Sequence, residues 1–524
     1  VTDPTPGSGQ ALVNLTIDGF SVRVPKGTLV IEAAKQAGVL VPHYCYHPGL
    51  PVAGVCRMCL VEIEKTPKLQ IACSTQVAEG MVVHTQSAPA KSARMSVLEL
   101  LLINHPLDCP ICDQAGECEL QDFVFQEGRP ATRYAEYPKR FNPVEDFGPD
   151  VLYVPNRCIL CTRCVRFMDD VAQEPVLNVS ERGDRAYIGM HPEARLDHPW
   201  AGNVVDLCPV GSLLSKDFLH KARAWELDKT ASICTGCSQG CNVTLDTRDD
   251  IVVRVRPRPN LEVNRYFICD HGRAHYRWMN RGDRIEAPLV RTPGSNELRA
   301  VDWDEAFDRV RTILRGAAGK AVALVSPGVS TEALFLARRL LLSFDWQGAF
   351  QVVMGEEAPL LGVPDLALRA ERAPNTSGAE LLGYQRDYGA AVAAAADAAV
   401  VLVLDDPDVQ VTTAGSLVYL GTVLPDDADV VLPIANVAEE EGSFVNRSLR
   451  VQKYAQAKPA PGMARPAWWV LGELAASIGQ GDAPTSAAAA FDQLAAGVEA
   501  FSGMSYRSLG ANGQIVNRIP VIAP

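Results

Sequence analysis

Apolar and polar residues alternate along residues 12–17 and again along 20–24, and Asp18-Gly19 between them is a strong two-residue hairpin turn. Thr28 is placed to cap a helix running through Ile31, Ala34 and Lys35, with Gly38 at its C-terminal stop. Shorter runs at 60–63, 70–72 and 81–84 predict returning strands, so this stretch predicts a small α+β module. Residues 92–104 predict a helix with Met95, Leu98, Leu101 and Leu102 on one side, and 128–155, rich in Pro, aromatic and charged residues, predict an irregular connector. After Arg273 the pattern changes. Residues 321–325 predict a buried strand, Pro327-Gly328 a turn, 331–344 a helix, and 400–404 and 430–432 further buried strands, which together predict a doubly wound α/β domain. Asp302 and Glu305 resemble a capping box, and Ala-rich 485–497 predicts a surface helix. The Ala/Val run 388–404 is marginal for spanning a membrane and is interrupted by Asp397, so it predicts a helix followed by a buried strand.

Composition narrows the function classes. The 524 residues exceed one ordinary domain, and 47% apolar with 21% charged residues is a normal globular balance. A net charge of −13 argues against a nucleic-acid partner, because nothing would neutralise the phosphates. No secretory signal opens the sequence, and residues 1–10 are expected to form a flexible tail, with any membrane contact made only through partners. The 15 cysteines change the picture most: none lies beyond Cys269, and they fall into close groups that point to metal or redox chemistry.

Cys45-x10-Cys56-x2-Cys59-x13-Cys73 is the first set. Its layout is that of a plant-type two-iron ferredoxin with ten residues where four are usual, and hairpin, helix and returning strands are the order of a ferredoxin-like β-grasp fold. Zinc also takes C-x2-C, and the β-grasp context and long loop favour the cluster. His105-x3-Cys109-x2-Cys112-x5-Cys118 is the second set; it holds three cysteines, so a four-iron cluster there needs one more ligand, and His105 is well placed to supply it. Cys158-x2-Cys161-x2-Cys164 with Cys208-Pro209 is the third, echoing the bacterial ferredoxin run whose last cysteine comes from elsewhere. Cys234-x2-Cys237-x3-Cys241 with Cys269 is the fourth. These sets account for every cysteine, with one histidine filling the gap. Arg57, Arg163 and Arg166 sit beside ligands, equally readable as charges balancing the clusters or as surface residues. Gly7-x-Gly9 and Gly316-Ala-Ala-Gly319-Lys320 lack the context and spacing of nucleotide loops, so neither NAD nor flavin is expected on this chain, and no residue is expected to be catalytic.

The stretches VPHYCYHPGLPVAGVCRMCLVEIE, NHPLDCPICDQAGECELQD, RCILCTRCVRF, DLCPVGSL and CTGCSQGCNV…ICDHGR, in that order, resemble the large iron–sulfur subunit of complex I, the proton-pumping NADH–quinone oxidoreductase. The tail is similar, more weakly, to that subunit's molybdopterin-oxidoreductase-like domain, through residues 428–433 and 440–446. The tail is short for the family, and Asn446-Arg-Ser-Leu-Arg450 replaces its usual Asn-x-Glu-Gly-Arg. The resemblance implies one 2Fe–2S and three 4Fe–4S clusters on the four sets, without molybdenum. It implies a flavin-bearing NADH-oxidising subunit and quinone-proximal iron–sulfur subunits as partners, and a peripheral place on the cytoplasmic side of a bacterial plasma membrane. It implies electrons passing from the first set to the third and then the second, the fourth lying off the path. The expected architecture is an α+β ferredoxin-like domain (11–90), a domain with two four-iron clusters (91–228), a fourth-cluster domain (229–285) and an α/β molybdopterin-oxidoreductase-like domain (286–524). Three other readings have different signatures: a molybdenum or tungsten formate dehydrogenase subunit, an electron-transfer subunit of an NAD-linked hydrogenase, and a zinc-stabilised scaffold.

Overall fold

A computed structural model describes residues 11–135, 142–295 and 297–517 of the chain. The expected tail at 1–10 and the middle of the expected connector lie outside the described residues. The chain divides into two compact units: residues 1–227 with 360–365, and residues 228–359 with 366–524.

In the first unit, β1 (Leu12–Ile17) and β2 (Phe20–Pro25) form the expected hairpin, Leu12 facing Pro25 and Ile17 facing Phe20. Asp18 and Gly19 both take positive φ (47° and 88°), as the tight turn requires. β3 (Leu60–Ile63), β4 (Gln70–Ile71) and β5 (Met81–His84) complete a sheet of order β2-β1-β5-β3-β4, with β5 parallel to β1. Helix α1 (Val30–Gln36) buries Val30, Ile31, Ala33 and Ala34 on this module's core.

The expected Thr28 cap is not formed. Leu29 occupies the cap position without a side-chain bond, and the Thr28 hydroxyl donates to Pro25 O at 2.7 Å. The reason is tertiary: the Val30 and Ile31 amides, which a cap would serve, donate instead to Thr75 O (2.8 Å) and Ala72 O (3.1 Å). Gly38 ends the helix with φ 74°, as expected.

Helix α2 (Ala88–Asn104) starts earlier than the expected 92, with Ser87 as N-cap and Pro89 tolerated in its first turn. Its buried face includes Leu98 and Arg94, whose guanidinium pairs with Glu127 at 3.0 Å. Helix α3 (Glu119–Glu127) follows Cys118.

The second unit opens with three antiparallel strands, Asp228–Ile233, Asn242–Arg248 and Ile251–Pro257. It continues into a seven-stranded sheet. Five strands are parallel, in the order Val430–Pro433, Ser416–Gly421, Val400–Leu404, Lys320–Val325 and Asp345–Phe350. An antiparallel pair, Leu289–Arg291 and Leu298–Ala300, extends one edge. Alternate residues feed two cores: Ala321, Ala323 and Val325 on one face, Val322 and Leu324 on the other. That is why Val400–Leu404 is buried at every position rather than alternating.

Helix Thr331–Leu340 starts at Ser330, whose Oγ accepts the Ala333 amide at 3.2 Å. Asp302 caps helix Trp303–Gly316, while Glu305 pairs with Arg299 instead of closing the box. The segment 388–404 is helix Tyr388–Ala395 and then the buried strand. Ala487–Gly497 is a helix that buries Ala487, Ala490, Phe491 and Leu494. Among the described residues no helix is long and apolar enough to cross a membrane.

Candidate iron–sulfur sites

The first set lies on the loops around β3 and β4. Cys45, Cys59 and Cys73 are buried and Cys56 half-buried, and the Cys45 N–H donates to Cys56 Sγ at 3.5 Å. Hydrogen bonding from the Cys56 thiol, then the Cys73 thiol, holds the Cys45 sulfur well below the usual thiol range, and the same pairing holds Cys56 and Cys73 well above it. Cys59 and Cys73 bond likewise, so the four sulfurs form one connected group.

The third set surrounds a cavity, with Cys161 and Cys164 buried and Cys158 and Cys208 half-buried. Cys158, Cys161, Cys164 and Cys208 line one apolar cavity of about 20 Å³ with Tyr153, Ile188, Val210 and Leu213. Leu160 (φ 53°) and Thr162 (φ 60°) take left-handed conformations that turn the chain between consecutive ligands. The Leu160 amide donates to Cys158 Sγ at 3.4 Å. Cys208 arrives at the end of the short helix Asn203–Leu207. Burial pushes Cys158 and Cys208 up to about 11 and Cys161 up to about 12, and Cys164 well above the thiol range. Such thiols give up protons only to a compensating positive charge, which iron supplies.

The second set is more open. His105 sits just past α2, Cys109 is exposed in the 3-10 turn Cys109–Ile111, Cys112 is buried, and Cys118 begins α3. Burial raises Cys112, and Cys118 to about 11. A Cβ on Gly211, three residues after Cys208, would stand 2.2 Å from Cys112 Sγ, so that sulfur needs a glycine opposite it.

The fourth set belongs to the second unit: Cys234, Cys237 and Cys241 lie in the turn between its first two strands, and Cys269 comes after the third, capping the short helix Asp270–Ala274. All four cysteines are buried. Cys234 N–H donates to Cys241 O at 2.8 Å, Gly236 N–H to Cys234 Sγ at 3.4 Å and Gly272 N–H to Cys269 Sγ at 3.3 Å. A Cβ on Gly272 would meet Cys234 Sγ at 2.9 Å and Cys269 Sγ at 3.5 Å, so the space between those sulfurs is kept clear of side chains. Burial raises Cys234 to about 12 and raises the other three.

Among the described residues no group of three or more His, Cys, Asp or Glu is arranged to hold a single metal ion. Clusters distribute their thiolates over several irons, so they ask for sulfurs spread around a cavity rather than gathered on one point. Buried thiols, amide donors aimed at sulfur and glycine cradles fit that demand.

Of the three flanking arginines, Arg57 is exposed, whereas Arg163 is buried and Arg166 half-buried, both bonding to ligand loops. Arg157, beside Cys158, carried the same flanking signal but was not singled out; it donates to Asp108 at 3.0 Å and to Gly211 O at 3.4 Å. Gly211 and Gly272 were also missed. Their adjacency to ligand cysteines is the only signal the sequence offers.

Family comparisons follow the same order. Residues 10–88 match the 2Fe-2S iron-sulfur cluster binding domain, and 94–133 the NADH-ubiquinone oxidoreductase-G iron-sulfur binding region. Residues 148–214 match the ferredoxin-like domain of NADH-quinone oxidoreductase subunit 3, and 227–281 the molybdopterin oxidoreductase Fe4S4 domain. Residues 393–477 match molybdopterin oxidoreductase.

An NADH-quinone oxidoreductase subunit from Rickettsia felis is 41% identical over 331 residues, 63% of this chain and 49% of that one. The 75 kDa subunit of NADH-ubiquinone oxidoreductase of Reclinomonas americana is 39% identical over 68% of this chain and 50% of its own. A solved chain of NAD+-reducing NiFe-hydrogenase in the H2-reduced state is 30% identical, covering 40% of this chain and 91% of that one at a TM-score of 0.37. The chain spans about half the length of the curated relatives it matches. With two-iron and four-iron binding domains in this order, the chain is similar, over about two thirds of its length, to iron–sulfur subunits of NADH–quinone and NADH-ubiquinone oxidoreductases.

Proposed function

We propose that this chain relays single electrons within an NADH–quinone oxidoreductase, taking them from a flavin-bearing subunit and delivering them toward quinone-proximal iron–sulfur subunits. The single observation that carries this reading is the third set: four cysteines lining one apolar cavity. The ligands are Cys45, Cys56, Cys59 and Cys73 for a 2Fe–2S cluster. Three 4Fe–4S clusters fall to His105, Cys109, Cys112 and Cys118; to Cys158, Cys161, Cys164 and Cys208; and to Cys234, Cys237, Cys241 and Cys269. Bound clusters supply one-electron chemistry at potentials that the protein tunes through ligand type, hydrogen bonds and burial.

The chain's own residues do the rest. Cysteines fix the sites, apolar walls such as Tyr153, Ile188 and Leu213 exclude water from the third, and amide donors stabilise charge on sulfur. His105 in place of a thiolate removes one negative charge and raises the second site's potential.

Two observations support the order of travel. The Glu119 N–H, next to Cys118, donates to Pro209 O, next to Cys208, at 3.0 Å, so the second and third sets adjoin. Leu107 (88% exposed) and Ile111 (65% exposed) flank the exposed Cys109, an apolar surface suited to a partner. The peripheral position on the cytoplasmic side of a bacterial membrane is part of the same proposal.

Metal analysis of anaerobically purified full-length chain tests this reading. About 14 irons per chain with matching sulfide, and neither molybdenum nor tungsten, are expected. Stoichiometric molybdenum or tungsten favours a formate-dehydrogenase-like enzyme, and zinc with little iron contradicts electron transfer.

A further inference from the structure

The first unit holds an arginine whose bonding runs between two of its ligand sets. Arg166 Nη2 donates to Cys45 O at 2.5 Å and to Cys161 O at 3.3 Å, while Nη1 donates to Pro51 O. Its Nε donates to Thr162 Oγ1 at 3.3 Å, which fixes the fork on the turn that carries the third set. The two cysteine carbonyls belong to ligands of different sets, 116 positions apart in the chain.

Arg163, one turn earlier, also reaches across: Nη2 to Tyr46 O at 2.8 Å and Nη1 to Leu207 O at 3.2 Å. Arg163 is countered by Glu119 at 3.1 Å, so its charge is largely spent locally and it acts as a strut. Arg166 directs its guanidinium at backbone carbonyls, which orient the charge without cancelling it.

Resting on the function proposed above, we infer that Arg166 is the shared positioning charge of the first and third sets, raising the potentials of both and holding their separation. A cation beside a centre favours the state carrying one more electron, and a half-buried guanidinium is poorly screened. One charge lying against both ligand loops therefore acts on both potentials at once. Among the described residues no cysteine carbonyl of the second set is bonded to this arginine.

The test is an EPR-monitored redox titration of the full-length, cluster-loaded chain with Arg166→Gln, Arg166→Lys and Arg57→Gln. In Arg166→Gln the two-iron signal and one four-iron signal should become harder to reduce. The expected size is about tenfold in reduced-to-oxidised ratio at fixed potential, which is 59 mV for one electron. The other two four-iron signals should not move, and iron content should stay at wild type. Arg57→Gln, removing an exposed charge beside Cys56, should leave every four-iron signal unmoved. Unmoved potentials at full iron content, or a uniform shift of all signals, overturn the inference. If Arg166→Gln loses iron, Arg166→Lys decides: potentials near wild type support a charge role, and displaced ones overturn it. A wild-type chain without these signals fails the function itself, which is a different result from unmoved potentials.

Discussion

At the scale of single residues, the sites are built from local geometry that a short sequence motif can carry. C-x2-C spacing holds two sulfurs on one turn, and Leu160 and Thr162 take the left-handed positions that bring the next sulfur round. This is why spacing alone suffices to propose the four cysteine sets. What the spacing could not carry is what stands opposite the sulfurs. Gly211 faces Cys112 across 99 residues of chain, and Arg166 meets Cys45 across 121, contacts that arise only in the folded unit. Gly211→Ala should therefore remove about four irons per chain from the second set and leave the rest, read as iron content with the loss of one four-iron EPR signal. An unchanged iron count would mean that the Cys112 sulfur does not stand against that glycine. His105→Cys should keep the second cluster but lower its potential, and a titration unchanged in both spectrum and potential would remove His105 from the ligands.

At the scale of elements, alternation and turn chemistry were readable wherever the element satisfies its own backbone groups. The hairpin around Asp18-Gly19, the Asp302 cap and the Gly38 stop are of this kind. Helix α1 is not: its first amides bond to the Thr75 and Ala72 carbonyls of a distant loop, so the Thr28 cap was not needed. The early start of α2 was hidden because residues 88–91 have no apolar periodicity and contain Pro89. Strand identity was legible in Val400–Leu404, but strand order was not, since it is set by crossovers between cores on both sheet faces. Leu324, fully buried among Val322, Val401 and Val403, tests that packing. Leu324→Ala should destabilise the second unit by about 2–5 kcal/mol in denaturant unfolding. The first unit's EPR signals should be unchanged, and a loss below about 1 kcal/mol would contradict two-sided burial.

At the scale of the whole molecule, the two compact units carry different burdens. The first gathers three ligand sets, and the second joins one set to an α/β body whose buried acids include Glu332 and Glu440. Glu332 accepts bonds from Ser443 and Tyr506, and Glu440 from Tyr454 and the Ala467 amide. Burial raises Glu332 to about 7 and Glu440 to about 8. Between the ordinary glutamate range and those values the folded state binds more protons than the unfolded one. Its stability is therefore greatest below that window and falls as pH rises through 7 to 8. Thermal unfolding of the second unit's transition should show this fall, and Glu440→Gln should flatten it. A stability rising across the same window would contradict the buried, protonated state.

The central claim, that the four sets hold one two-iron and three four-iron clusters, is tested most directly by low-temperature EPR of the dithionite-reduced full-length chain beside its Cys164→Ala variant. The account predicts one two-iron and three four-iron signals in the wild type, with one four-iron signal lost in the variant. A wild-type spectrum without iron–sulfur signals, or a variant that keeps all of them, would contradict it.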